Sequence, residues 1–155
     1  MPDSFAVPLE LVAEDFRPEP VGPRRRSGDC EAWTSSIDHV RATPGFQDTS
    51  GTAPGFGAGV WPDPGMTLED NLADLRRHAE DFAQRRGFTY TVLARDSGQI
   101  IGCVYIYPLA SAVGAADVSS WVRADQADLD GALHDAVSAW LNEAWPFTTV
   151  SYAPR

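Results

Sequence analysis

The residues able to do chemistry are spread thinly along this chain. Three histidines, His39, His78 and His134, fall in three separate stretches of helical spacing. His134 precedes Asp135, but neighbours on a helix point apart, so no dyad is expected there. No two histidines have the spacing of metal ligands and no H-x3-H occurs, so no metal is expected. Ser119-Ser120 lacks the G-x-S-x-G turn that presents a nucleophile. Cys30 and Cys103 form no CxxC pair and read as free thiols, Cys103 in a strand core. Hydrolase and metalloenzyme chemistry have no support here. Tyr105 and Tyr107 are more suggestive: they alternate with Ile106 and so share one face of an extended run. There they would line a pocket and contact substrate, or pack beneath a helix. Trp61, with Phe46 and Phe56, belongs to a Gly-, Pro- and Thr-rich stretch over 42–66. It would close over a cleft and touch substrate, or pin a surface loop.

The elements that must hold these groups are legible from periodicity. An edge strand is expected at 16–21 and a helix at 29–41, capped by Ser27 or Asp29. Thr67 and Asp70 make a capping box for a helix with Leu68, Leu72, Leu75, Ala79 and Phe82 on one face. Gly87 would end it in the left-handed conformation. The runs 88–94 and 99–107 are β-branched and aromatic, and a four-residue turn separates them, which predicts a hairpin. A strand at 116–123, a helix with Leu129, Leu133, Val137 and Trp140 on one face, and a strand at 147–152 follow. Asp125 or Asp128 would cap that helix. Its flanking strands should be parallel, giving a single α/β domain over 1–155, a mixed sheet with helices packed on it.

The 155 residues carry 22 acids against 12 arginines and no lysine, a net charge of −10. So acidic a surface repels phosphate backbones, which argues against nucleic acid and anionic membrane as partners. Arg24-Arg25-Arg26 is a short basic cluster of the kind found on solvated loops. No apolar run has membrane length and the first residues lack the pattern of a signal peptide, so a cytoplasmic address is expected.

The element order, the return strand IIGCVYI and the run Val118-Ser119-Ser120-Trp121-Val122-Arg123 together resemble the GNAT superfamily of N-acetyltransferases. The resemblance covers roughly 67–152. It implies acetyl-CoA as co-substrate, wedged between the strands at 118–123 and 148–152, with Val122, Arg123, Gly131 and Ala132 on the cofactor. It implies Asp117 as the acid that takes a proton from the amine, and Tyr152 as a general acid. In this family a Q/R-x-x-G-x-G/A turn cradles the pyrophosphate at a helix N-terminus. The matching segment runs from Arg123 to Ala132, and without gaps the glycine positions fall on Asp128, Asp130 and Ala132; a one-residue shift recovers Gly131. Aspartates would face phosphate there, each unit-charge pair repelling by about 4 kcal/mol at about 4 Å and a surface-like dielectric. The family usually continues with a further helix and two strands, so a complete set would need a partner subunit.

Two functions follow from the resemblance. One is an acetyl-CoA-dependent N-acetyltransferase acting on a small-molecule amine or a protein N-terminus. The other is a non-catalytic module of the same fold that binds a small ligand or a protein, or pairs with itself as a homodimer through its open final strand.

Overall fold

The protein is described by a computed structural model over residues 4–46 and 61–155; Phe56 lies outside that range. The apolar runs pair into a sheet. Strands β2 (Phe88–Ala94) and β3 (Ile100–Pro108) form an antiparallel hairpin. Its turn needs Gly98, whose φ of +69° a side chain would strain. β4 (Ala115–Val122) lies antiparallel to β3, and β5 (Thr149–Tyr152) lies parallel to β4. β1 (Phe16–Pro20) pairs antiparallel with β2, so the five strands stand in chain order. Pro18 and Pro20 are tolerable there because β1 is an edge. Helix α4 (Asp130–Ala144) makes the crossover between the parallel pair.

The early helix departs from expectation. In place of one helix over 29–41 there are α1 (Arg26–Thr34) and α2 (Ile37–Ala42), after a 3-10 turn at Pro23–Arg25. Neither Ser27 nor Asp29 caps α1. The break falls at Ser35-Ser36 because hydroxyls there bond back to the chain. Thr34 Oγ1 donates to the Cys30 carbonyl at 2.6 Å, and Ser35 Oγ to that of Ala32 at 3.0 Å. Helix α3 (Leu68–Ala83) does begin on the Thr67–Asp70 capping box. Its buried residues include Asn71, Leu72, Leu75, His78 and Asp81, while Leu68 is exposed.

Gly87 is not the left-handed cap; Arg85 takes that conformation, with φ +60°. Gly87 is needed for another reason, since a Cβ there would stand 2.1 Å from Tyr107 Cε1. Gly102 has a similar constraint from backbone, its Cβ position being 2.1 Å from the Trp121 carbonyl oxygen. The expected Asp125 or Asp128 cap of α4 is also not made. Residues Ala124–Leu129 form a 3-10 turn that runs into α4 without a side-chain cap.

Side chains alternate across the sheet into two cores. On the α4 side lie Tyr90, Val104, Ile106, Val118, Leu133 and Trp140. Facing α1–α3 lie Trp33, Phe46, Trp61, Tyr105 and Trp121. Each large apolar side chain withdrawn from water contributes about 1.5–3 kcal/mol. The segment before β1 has no regular structure, yet Phe5, Val7 and Leu11 pack on the α4-side core. The Pro8 carbonyl there accepts the buried Tyr90 hydroxyl at 2.6 Å, and Phe5 lies 5.7 Å from Trp145. Among the described residues no helix is long and apolar enough to cross a membrane.

Candidate functional site

β4 is the pivot of the site because it presents different chemistry on each face. Asp117, Ser119 and Trp121 face α1–α3; Ala116, Val118, Ser120 and Val122 face α4. Register then aligns Tyr107 of β3, Asp117 of β4 and Ser151 of β5 in one row, with Tyr105 beside Ser119 in the next. Together with Gly45 these residues enclose a cavity of about 90 Å³. Asp117 is half-buried there. Burial raises its carboxyl above the usual range, against hydrogen bonds from the Ser151 side chain and the Val118 backbone.

Behind the tyrosines lies a polar cluster that the sequence reading passed over. His78 is 3% exposed. Its Nδ1 is 3.0 Å from the Tyr107 hydroxyl and 3.1 Å from Thr89 Oγ1, and its Nε2 is 3.4 Å from Asp74 Oδ2. Burial by itself would raise the Asp74 carboxyl, but His78 and Arg77 outweigh it and hold Asp74 below its ordinary value. Burial pushes the Tyr107 phenol up to about 12 and lifts Tyr105, whose hydroxyl accepts from Trp121 Nε1 at 3.2 Å. Asp29 of α1 is 8% exposed, and desolvation raises its carboxyl to about 6. Asp29, Asp74, His78 and Trp61 border a space of about 10 Å³, close to the room one water needs. The signal for this cluster was present in the sequence: a histidine at core spacing from Leu75, with an acid one turn before it.

On the opposite face Tyr152 sits under α4, apart from Asp117. Its hydroxyl is 2.5 Å from Ser120 Oγ and its ring 4.4 Å from that of His134. Burial raises this phenol to about 12. The two residues expected to share acid–base work are therefore on different faces of the sheet. Trp61 packs among Trp33, Phe46, Tyr105 and Trp121 and borders the smaller space, not the Asp117 cavity. His134 and Asp135 were expected to diverge, but Nδ1 and Oδ1 lie 3.4 Å apart at an exposed position.

Beyond Val118–Tyr152, the last pair of β4 and β5, Pro154 has no N–H to continue the ladder. Arg155 fills that role. Its guanidinium donates to the Ser120 carbonyl at 2.7 Å and lies 2.6 Å from Asp130 Oδ2, in the first turn of α4. The Arg155 side chain is only 8% exposed.

Among the described residues, the strand order, with only the last pair parallel and joined by a helix packed on one face, decides the architecture. The fold is that of the GNAT acetyltransferases. FdhC, described as a nucleotide-linked sugar GNAT, superposes with a TM-score of 0.64 at 11% identity over 94% of this chain and 72% of its own. A ribosomal-protein-S5-alanine acetyltransferase from Vibrio fischeri gives 0.62 at 15% identity, over 88% and 69%. The microcin C7 self-immunity acetyltransferase MccE, solved with acetyl-CoA and AMP, gives 0.61 at 11%, over 84% and 63%. No protein-family model and no curated protein matches the sequence.

Two solved structures of this fold hold acetyl-CoA or CoA, so the turn between β4 and α4 can be tested for fit to a diphosphate. Its donors are already engaged in part: Ala124 N–H donates to Ser36 Oγ at 2.9 Å, and Gln126 N–H to the Arg123 carbonyl. Arg123 is held bidentate by Asp125, at 3.0 and 3.1 Å. Val122 is fully buried in the α4-side core, Ala132 is exposed on α4, and a Cβ on Gly131 would meet open space, so no close approach requires that glycine. The adjoining groove of about 630 Å³ is bordered by Glu14, Asp15, Asp96, Asp125 and Asp128, with Arg95 as the cation on its wall. These side chains do not fit a diphosphate.

Proposed function

We propose that this chain is a GNAT-fold binding module that takes a small amine beside Asp117 and works without acetyl-CoA. What carries this reading is the seat of Arg155. The guanidinium spans the gap past the β4–β5 pairing and is tied to Ser120 and Asp130, along the path that the GNAT resemblance assigns to the cofactor. The acidic groove at the turn between β4 and α4 adds like charge against any phosphate.

The Asp117 cavity supports an amine as ligand. A half-buried carboxylate gives an ammonium group a charge-assisted hydrogen bond, and Ser119 and Ser151 supply further oxygens. Tyr105 and Tyr107 give the apolar stem its walls, and the tyrosine faces attract cations.

Calorimetry and thermal shift with acetyl-CoA and desulfo-CoA test the proposal. No binding is expected at millimolar cofactor, and a micromolar dissociation constant would overturn it. Propylamine should bind where propanol does not. Acetyl transfer is a second reading, favoured by the raised carboxyl of Asp117, which suits a group that removes a proton from an amine. It requires Arg155 to leave its seat, and the same cofactor titration separates the two.

A further inference from the structure

Arg155 has further partners besides Ser120 and Asp130, and they lead to the Asp117 cavity. Its Nη1 donates to the Pro44 carbonyl at 3.1 Å and to the Ala153 carbonyl at 3.0 Å. Its Nη2 meanwhile donates to the Ser120 carbonyl and its Nε pairs with Asp130 of α4. A guanidinium is a flat, rigid fork of five N–H donors, so one side chain can hold all these acceptors at once.

Two of the residues it holds set the edge of the cavity. Ala153 lines the cavity, and so does Gly45, which follows Pro44 in the chain. They close on one another at the cavity's rim: the Cβ position of Gly45 is 3.7 Å from Ala153 Cβ and 3.8 Å from Ser119 Cβ. The turn that carries Gly45 has φ of +94° there, and Phe46 N–H closes it on the Thr43 carbonyl at 3.0 Å. The β4–β5 pairing ends at Tyr152, one residue before Ala153. Beyond that point the rim depends on the Arg155 fork and not on the sheet ladder.

We infer that Arg155 is a positioning residue for the amine cavity: by tying Pro44 to Ala153 it fixes the opening between Gly45 and Ala153, and with it the size of amine admitted. The inference rests on the proposal that the cavity takes an amine. It adds a second task to a side chain that already lies across the cofactor's path. Drawing Arg155 out of its seat would therefore loosen the wall around the amine as well.

Two readouts decide the matter, and the first needs no ligand. In Arg155→Ala, hydrogen exchange at the Phe46 amide should quicken about tenfold relative to the β2–β3 amides, the worth of one hydrogen bond. Exchange that rises equally at Phe46 and in the sheet would overturn the inference, because it would report general loosening alone. The second readout compares propylamine with the bulkier benzylamine. The wild type should prefer propylamine, and Arg155→Ala should narrow that preference about tenfold. Arg155→Lys keeps a positive charge for Asp130 but lacks the fork, so it should narrow the preference without the same loss of stability. Tyr90→Phe, which removes the bond to Pro8 in the α4-side core, should lose stability and keep the wild-type preference. An unchanged preference in both Arg155 variants, or an equal shift in Tyr90→Phe, would overturn the inference. Failure of propylamine to bind the wild type at all defeats the amine proposal alone, because exchange at Phe46 reports on the rim without a ligand.

Discussion

Arg155 Nε lies 2.6 Å from Asp130 Oδ2, so the residue three past β5 is fastened to the first residue of α4. The same guanidinium reaches the Ser120 carbonyl at 2.7 Å and joins three elements at one point. Arg155→Ala leaves that carbonyl and the Asp130 carboxylate without these partners. Hydrogen bonds to charged groups contribute about 1.5–3 kcal/mol, so a loss of about 2 kcal/mol is expected in urea unfolding. An unchanged midpoint would show the contact to be ornamental.

Charge at the β4–α4 turn should govern cofactor affinity. Asp128→Gly with Asp130→Gly removes two like charges and also releases Arg155 as a partner for phosphate. Acetyl-CoA binding should then become measurable below about 1 mM, a gain of at least tenfold over the wild type. If the double variant binds no better, shape rather than charge excludes the cofactor.

The buried Asp29 carboxyl makes a pH-dependent contribution that can be isolated. Burial raises it to about 6 in the folded protein, against 3.8 for an ordinary aspartate. Its effect on stability is therefore most favourable below the unfolded value and is lost as pH rises through about 6. At one pKa unit per 1.36 kcal/mol the loss is about 3 kcal/mol at neutral pH. Asp29→Asn should accordingly gain on the wild type between pH 4 and 6, then hold that gain at higher pH. A difference that stays flat with pH would contradict this.

Two glycines should respond in opposite directions. Gly102→Ala pushes a methyl to 2.1 Å from the Trp121 carbonyl oxygen, which only a backbone shift can relieve. A cost of about 3 kcal/mol or loss of soluble protein is expected. Gly131→Ala meets nothing within 4 Å and lies in the first turn of α4, so a gain of about 0.5–1 kcal/mol should appear in the same assay.

Local patterns made the hairpin, the capping box of α3 and the crossover unit readable, because each is encoded in neighbouring residues. What escaped the sequence depends on contacts between distant ones. Gly87 looks like a helix terminator, and only the placement of Tyr107 reveals it as the seat of a ring. Alternation puts Tyr105 and Tyr107 on one face, but register is needed to set Tyr107, not Tyr105, beside Asp117. The parallel pairing of Asp117 with Ser151 likewise sends Tyr152 to the other side of the sheet. Arg155 follows the last strand and belongs to no periodic pattern, so nothing nearby foretold that it would return to β4 and α4.

The irregular stretch before β1 has a practical meaning for anyone handling this protein. Tyr90 is wholly enclosed and gives its phenol proton to Pro8. Cutting the chain ahead of Phe16 would strip the acceptor from that phenol and bare one side of Trp145 to solvent. Those leading residues behave as masonry, and affinity tags are better joined to them than substituted for them.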